Sequence, residues 1–280
     1  SQAAESPALS EASFLLAHSA AEFVTVPAPG PSGYGEQLTI TGLKGGQTYY
    51  FAAKARAAWD AWGYLSPGAT AQARLYAPGF TGFSNVTENA MRVDWSDTAN
   101  VAGLLYRVLV STAADQLNPG GAVVSSSATY NTFLSSAGLS ANTTYYFRVA
   151  GINGTSVPPE YSAAASTSTL LAFAPSLPVF SSPSSGGTIE FGWSNNGNPN
   201  PGTLYRVVYS TVSDFVNPGG AAVFTGYSGG LSYTASGLSG DTTYYFAVAG
   251  VNNNGVATAY TSTIDTSTLA NMPVFAGFSD

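Results

Sequence analysis

The clearest pattern along the chain is an alternation of apolar and polar positions with a period of two. In the stretch 144–151, Tyr145, Phe147 and Val149 alternate with Tyr146, Arg148 and Ala150, and the stretch 204–210 repeats this arrangement. A period of two places the apolar residues on one face of a β-strand. No segment shows capped apolar residues at helical spacing. The pattern therefore predicts an all-β protein.

The chain also repeats itself. The segment Gly42–Arg56 matches Gly138–Asn153 and Gly237–Asn252, and Trp95 has a counterpart in Trp193. The copies are about 100 residues apart, the size of one β-sandwich domain. Three copies in one register indicate tandem repeats of a single fold.

Turn residues divide each repeat into short strands. "NPGG" at Asn118–Gly121 and Asn217–Gly220 predicts a tight turn, because Pro presets φ and Gly accepts a positive φ. About seven short strands per repeat are typical of a β-sandwich. We define unit one as residues 1–76, unit two as 77–171 and unit three as 172–270, and 271–280 remain as an extra strand.

These motifs resemble the tandem fibronectin type III-like domains of bacterial extracellular and surface proteins. The resemblance rests on the two tryptophans, a "Y-x-V" third strand and "L-x-x-x-T-x-Y-x-F-x-V" at Leu139–Val149 and Leu238–Val248. It implies a tyrosine corner, in which Tyr145 and Tyr244 bond back to the backbone. It also implies a spacer, adhesion module or surface-array unit, because the fold alone does not define a function.

The two ends of the chain complement each other in sequence. Residues 13–23 align with the third strand of unit two, so unit one lacks counterparts of the first two strands. The segment 271–280 matches the first strand of a unit. We expect it to act as a donor strand that inserts into unit one of the next molecule, and its candidate contact residues are Met272, Val274, Phe275 and Phe278.

An alternative explanation is that the chain is an arbitrary cut from a longer array. One donated strand also replaces only one of two, so residues 1–11 or a neighbouring surface would have to contribute. A head-to-tail contact of this kind propagates into a filament unless its geometry closes a ring.

A second candidate site is the aromatic connection in unit one, which contains Trp59, Trp62 and Tyr64. The tyrosine recurs at the same position of the other units, whereas the two tryptophans occur only in unit one. Exposed indoles could stack on sugar rings or anchor a protein interface. They could equally fold back over unit one. The sequence leaves these three interpretations open.

Composition removes several classes of function. Only 8% of the residues are charged, the net charge is −7, and the eight basic residues are scattered. Binding to nucleic acid or to anionic membranes needs a concentrated basic surface, so neither is expected. The chain has no apolar run of about 18 residues, so no membrane span is predicted. The absence of cysteine excludes disulfides and thiolate zinc sites.

Catalysis needs a constellation of reactive groups, and the chain offers few. His18 is the single histidine, and the carboxylates are spread thinly. We therefore predict no enzyme activity and no catalytic, cofactor or metal site.

The sequence thus favours a non-enzymatic structural or adhesive protein, extracellular or at the cell surface, that self-associates into a homo-oligomer or filament. The alternative is a carbohydrate- or protein-binding spacer module excised from a larger secreted protein.

Overall fold

A computed structural model describes residues 37–56, 61–153, 159–180 and 187–270, together with Met272 and Gly277. Every regular element in these ranges is a β-strand. In unit one the described strands are β1 (Thr48–Phe51) and β2 (Ala69–Gln72), which pair antiparallel.

Unit two contains seven strands in two sheets. They are β3 (Gly79–Ser84), β4 (Ala90–Ser96), β5 (Leu105–Ser111), β6 (Val124–Thr129), β7 (Phe133–Ala137), β8 (Thr144–Ile152) and β9 (Ala165–Ser168). One sheet has the order β3-β4-β7 and the other has the order β6-β5-β8-β9. All pairings are antiparallel.

Unit three repeats this topology. Its strands are β10 (Ser176–Phe180), β11 (Thr188–Ser194), β12 (Leu204–Ser210), β13 (Val223–Ser228), β14 (Ser232–Ser236), β15 (Thr243–Val251) and β16 (Ile264–Ser267). The sheets have the orders β10-β11-β14 and β13-β12-β15-β16. The prediction of an all-β fold built from tandem fibronectin III-like or Ig-like sandwiches is confirmed.

The core of each sandwich is formed by the alternating residues that the sequence indicated. In unit two the Trp95 indole lies edge-on to the Tyr106 ring, and Phe147 and Val149 are fully buried. In unit three Trp193 packs against Tyr205 with 5.3 Å between the ring centroids and the rings tilted by 58°. The period of two therefore identified the core-facing side of these strands correctly.

The predicted tyrosine corner is present in both full sandwiches. The Tyr145 hydroxyl accepts a hydrogen bond from the backbone N–H of Ser140 at 2.9 Å, and Tyr244 accepts one from Ser239 at 3.0 Å. Tyr49 accepts the equivalent bond from Lys44 at 2.8 Å. The same corner thus recurs at the equivalent position of unit one.

The "NPGG" turns also form as predicted. Gly120 and Gly121 adopt φ values of 57° and 93°, which a side chain would disfavour. The N–H of Ala122 donates to the carbonyl of Pro119 at 3.0 Å and closes the turn between β5 and β6.

Candidate functional site

The predicted tail contacts fall mostly outside the described residues. Val274, Phe275 and Phe278 lie there, whereas Met272 is described and is 89% exposed. Phe80 of unit two, the counterpart of Phe275, packs against the core of its own sandwich. A first strand of this sequence type can therefore insert aromatic side chains into a sandwich.

The predicted aromatic connection is only partly described, because Trp59 lies outside the described residues. Trp62 is 60% exposed, and the Arg56 guanidinium lies 5.6 Å from the centroid of its ring. Tyr64 is 99% exposed. Trp62 and Tyr64 therefore both present aromatic surface to solvent.

Within the described ranges the side chains form no group of three His, Cys, Asp or Glu residues that could hold a metal ion. The same part of the chain contains no helix long and apolar enough to cross a bilayer. His18 lies outside it.

A network of side-chain hydrogen bonds lies at the joint between units two and three, and it was not predicted from the sequence. The Asn142 amide donates to the carbonyl of Gly202 at 2.9 Å and to the hydroxyl of Thr203 at 3.3 Å. The N–H of Asn253 donates to the Asn142 Oδ1 at 2.9 Å, and the Asn253 amide donates to the Asn142 carbonyl at 3.0 Å. Asn142 therefore contacts unit three through both its side chain and its backbone.

Two further asparagines of the same loop extend this network. The Asn252 amide donates to the carbonyl of Thr169 at 3.1 Å, and the Asn254 amide donates to the hydroxyl of Thr167 at 2.7 Å. Asn252 is buried. Its paired amide avoids the free-energy penalty of an unsatisfied buried polar group.

A second buried amide in each sandwich holds the linker that enters it. Asn100 accepts from the N–H of Tyr76 at 2.8 Å and donates to its carbonyl at 2.9 Å. Asn198 accepts from the N–H groups of Ala172 and Phe173 and donates to the Phe173 carbonyl at 2.7 Å. Both asparagines are 2% exposed. We call this pair the linker clamps.

The clamp of unit two is itself oriented by a carboxylate. The Asn100 amide donates to Oδ1 of Asp97 at 2.6 Å. Burial, and then the neighbouring Asp97 charge, raise the pKa of Tyr106 to about 12. The Tyr106 hydroxyl therefore ionises less readily than that of an exposed tyrosine.

An apolar side chain fills each joint beside the clamp. Leu75 packs against Gly151, where an added Cβ would lie 3.1 Å from Leu75 Cδ1. Leu171 packs against Gly250 in unit three, with a corresponding distance of 2.8 Å. Glycine at these two positions therefore lets the preceding unit approach the strand backbone closely.

Among the residues that the structure describes, the joint between units one and two is held by backbone hydrogen bonds, and not by side-chain amide bonds like those of Asn142. The N–H of Gly45 donates to the Ala99 carbonyl at 3.0 Å, and the N–H of Val101 donates to the Gly45 carbonyl at 2.9 Å. A Cβ at Gly45 would collide with the Asn100 side chain. The two joints thus share the clamp and the leucine but differ in their remaining bonds.

The sequence repeat contains one indication of the linker clamps. Asn100 and Asn198 stand at the same spacing after Trp95 and Trp193. An amide kept in register between units, outside any predicted strand, indicates a structural contact. The asparagines of the 252–254 loop have no counterpart repeated in all units, so the alignment could not identify their partners.

No protein-family model matches the chain, and no curated protein matches it. Among solved structures, a two-domain fibronectin type III segment from chicken tenascin is similar, at 17% identity and a TM-score of 0.41. That alignment covers 69% of this chain and 100% of the tenascin segment. The FN1–FN3 domains of chicken CNTN1 are also similar, at 16% identity and a TM-score of 0.34, covering 80% of this chain and 77% of theirs.

Proposed function

We propose that the protein is a non-enzymatic structural or adhesive module, extracellular or at the cell surface, in which the sandwiches form a stiff array. The observation that carries this proposal is the hydrogen-bonded joint between units two and three. Inter-domain contacts within a chain ordinarily leave domains free to move. Here Asn142 and Asn253 bond reciprocally across the joint, and Asn198 holds the linker.

Stiffness follows from the number of bonds that a bend would break. Each hydrogen bond contributes about 0.5–1.5 kcal/mol, and breaking one without access to water costs more. Bending the joint would separate Asn142 from Thr203 and Asn252 from Thr169 together. A stiff array suits a protein that spans a distance or presents a surface.

We further propose that copies assemble head to tail, with 271–280 of one molecule completing unit one of the next. This proposal is supported by the different exposure of one phenylalanine position in the three units. Phe147 and Phe246 are 0% exposed, whereas Phe51 at the same position of unit one is half-buried. The partial exposure of Phe51 supports the proposal, because an added strand would bury this ring further.

The topology of unit two indicates the position that an added first strand would occupy. In unit two, β3 is the outermost strand of its sheet and pairs only with β4 on one side. An edge position is one that a strand of another molecule can occupy by β-strand addition. Residues 1–11 of the accepting molecule or a neighbouring surface would complete the pairing.

Native mass spectrometry and negative-stain electron microscopy test this assembly. We expect the full chain to form oligomers or filaments, and we expect deletion of 271–280, or Phe275→Asp with Phe278→Asp, to yield monomers. Val123→Ser, which changes an exposed apolar residue of unit two, serves as the control and should assemble normally. Wild-type monomers, or oligomers that persist in the Phe275/Phe278 variant, would refute head-to-tail assembly.

The second candidate function, a carbohydrate- or protein-binding spacer, is favoured by the exposed Trp62 and Tyr64. The Arg56 guanidinium over the Trp62 ring limits the orientations of the indole. An exposed and oriented ring is suited to stacking on a sugar or inserting into a partner surface.

A further inference from the structure

A cavity of about 310 Å³ lies at the joint between units one and two. Its charged lining residues are Arg74 from unit one and Arg107 and Glu160 from unit two, and its apolar lining includes Leu75, Ile152 and Pro159. We call these six residues the junction cleft. Its volume lies at the lower end of the range of small-molecule sites.

The cleft concentrates positive charge in a chain that has little of it. Two of the eight basic residues of the protein line this one cavity. Arg74 lies 3.8 Å from Glu160, and both side chains are more than half exposed, so their mutual attraction is weak. Arg107 is exposed and forms no ion pair with any residue that the structure describes. Both guanidinium groups are therefore able to bind a ligand.

The equivalent joint between units two and three provides an internal comparison. Leu170 replaces Arg74 and Ala259 replaces Glu160. Arg206 replaces Arg107, but its guanidinium lies over the Tyr260 ring at 5.3 Å from the centroid. At that joint the Arg206 guanidinium packs on an aromatic ring, whereas Arg74, Arg107 and Glu160 of the junction cleft line a cavity.

We propose that the junction cleft binds a saccharide that carries a carboxylate, such as a uronic acid residue. The carboxylate would accept hydrogen bonds from Arg74 and Arg107, since guanidinium groups match carboxylate geometry. The sugar hydroxyls would donate to the Glu160 carboxylate. The C–H face of the ring would pack against the apolar residues.

This combination of groups selects against simpler ligands. A neutral sugar lacks an anionic acceptor for charge-assisted hydrogen bonds from the two guanidinium groups. An inorganic anion such as sulfate lacks hydroxyls that could donate to Glu160 and offset its repulsion. Because the walls belong to two units, a bound saccharide contacts both. Binding would consequently stabilise the arrangement of the joint.

Isothermal titration of the full chain with digalacturonic acid tests the proposal, with the neutral galactose disaccharide and sodium sulfate as comparison ligands. We expect digalacturonic acid alone to bind. Arg107→Ala and Arg74→Leu should each weaken binding about tenfold or more, because each removes a charged bidentate donor. Arg206→Ala is the matched control in unit three and should bind as the wild type does.

Several outcomes would overturn the proposal. They are no binding of digalacturonic acid, equal binding by Arg107→Ala, and sulfate binding of the same strength, which would indicate a simple anion site. Loss of binding in Trp62→Ala without loss in Arg107→Ala would place the saccharide on the aromatic connection of unit one instead. Circular dichroism of each variant separates lost binding from lost folding.

Discussion

At the scale of the residue, the joint between units two and three depends on the special properties of asparagine. Asn142 has a φ of 47°, in the left-handed region that asparagine tolerates better than most residues. Its side chain carries both a donor and an acceptor, and both are used across the joint. Gly46 and Asp241 occupy the same turn position with φ values of 78° and 52°. The turn is thus common to all units, whereas the reciprocal amide contacts belong to Asn142.

Asn142→Gly is expected to weaken this joint while preserving the turn, because glycine adopts the positive φ without strain. The backbone N–H of Asn253 loses its acceptor, the Asn142 Oδ1. Its hydrogen exchange should therefore become about tenfold faster, corresponding to roughly 1.4 kcal/mol. Hydrogen exchange followed by mass spectrometry or NMR measures this rate. Asp241→Gly, the matched change in unit three, should leave it unaltered. Unchanged protection of Asn253 in Asn142→Gly would contradict the role of the amide.

At the scale of the element, the same sequence produces strands with different burial. β1, β8 and β15 all contain the motif "TYYF". Among the strands that the structure describes, β8 and β15 face a second sheet and carry a fully buried phenylalanine, whereas Phe51 of β1 is half-buried. β1 pairs with β2, and every residue of β1 is exposed or half-buried. Strand formation follows from the local pattern, but burial depends on the opposite sheet.

Phe147→Ala should therefore cost about 3–5 kcal/mol of stability, the usual cost of removing a buried aromatic ring. Phe51→Ala should cost markedly less, because the ring is already partly in water. Differential scanning calorimetry of dilute protein compares the two variants, since separate units can unfold separately. An equal loss of stability in both variants would show that Phe51 is as well packed as Phe147.

At the scale of the whole molecule, the joints make the linkers part of the folded structure. The clamps at Asn100 and Asn198 bond to linker backbone, and Leu75 and Leu171 pack beside glycines of the following unit. A linker held at these points has few free dihedral angles, so the chain is expected to keep a fixed angle between units.

Small-angle X-ray scattering should show this directly. A single arrangement is expected to fit the wild-type curve, and Asn142→Gly combined with Asn198→Ala should require a broader ensemble, because bonds at the joint and in the linker are both lost. The Phe275→Asp and Phe278→Asp changes should be present in both proteins, so that self-association does not affect the curves. A broad ensemble in the parent protein would refute a stiff array.

Much of the fold could be predicted because it depends on short-range patterns. The alternation in β8 and β12, the turns at Gly120 and Gly219, and the corners at Tyr145 and Tyr244 each involve residues close together in the chain. The repeat then placed these elements in equivalent positions of units two and three. The comparison of the repeats also marked Trp62 as particular to unit one, and its side chain is exposed.

By itself, then, the sequence determined the strand pattern, the turns and the equivalence of units two and three, because period, turn chemistry and repetition are local properties. Only the tertiary structure decided which side chains form the joints. Asn142 and Asn253 are 111 positions apart, and Arg74 and Arg107 belong to different units. Whether such residues meet depends on how two folded units pack, since no local pattern encodes the distance between surfaces of separate sandwiches.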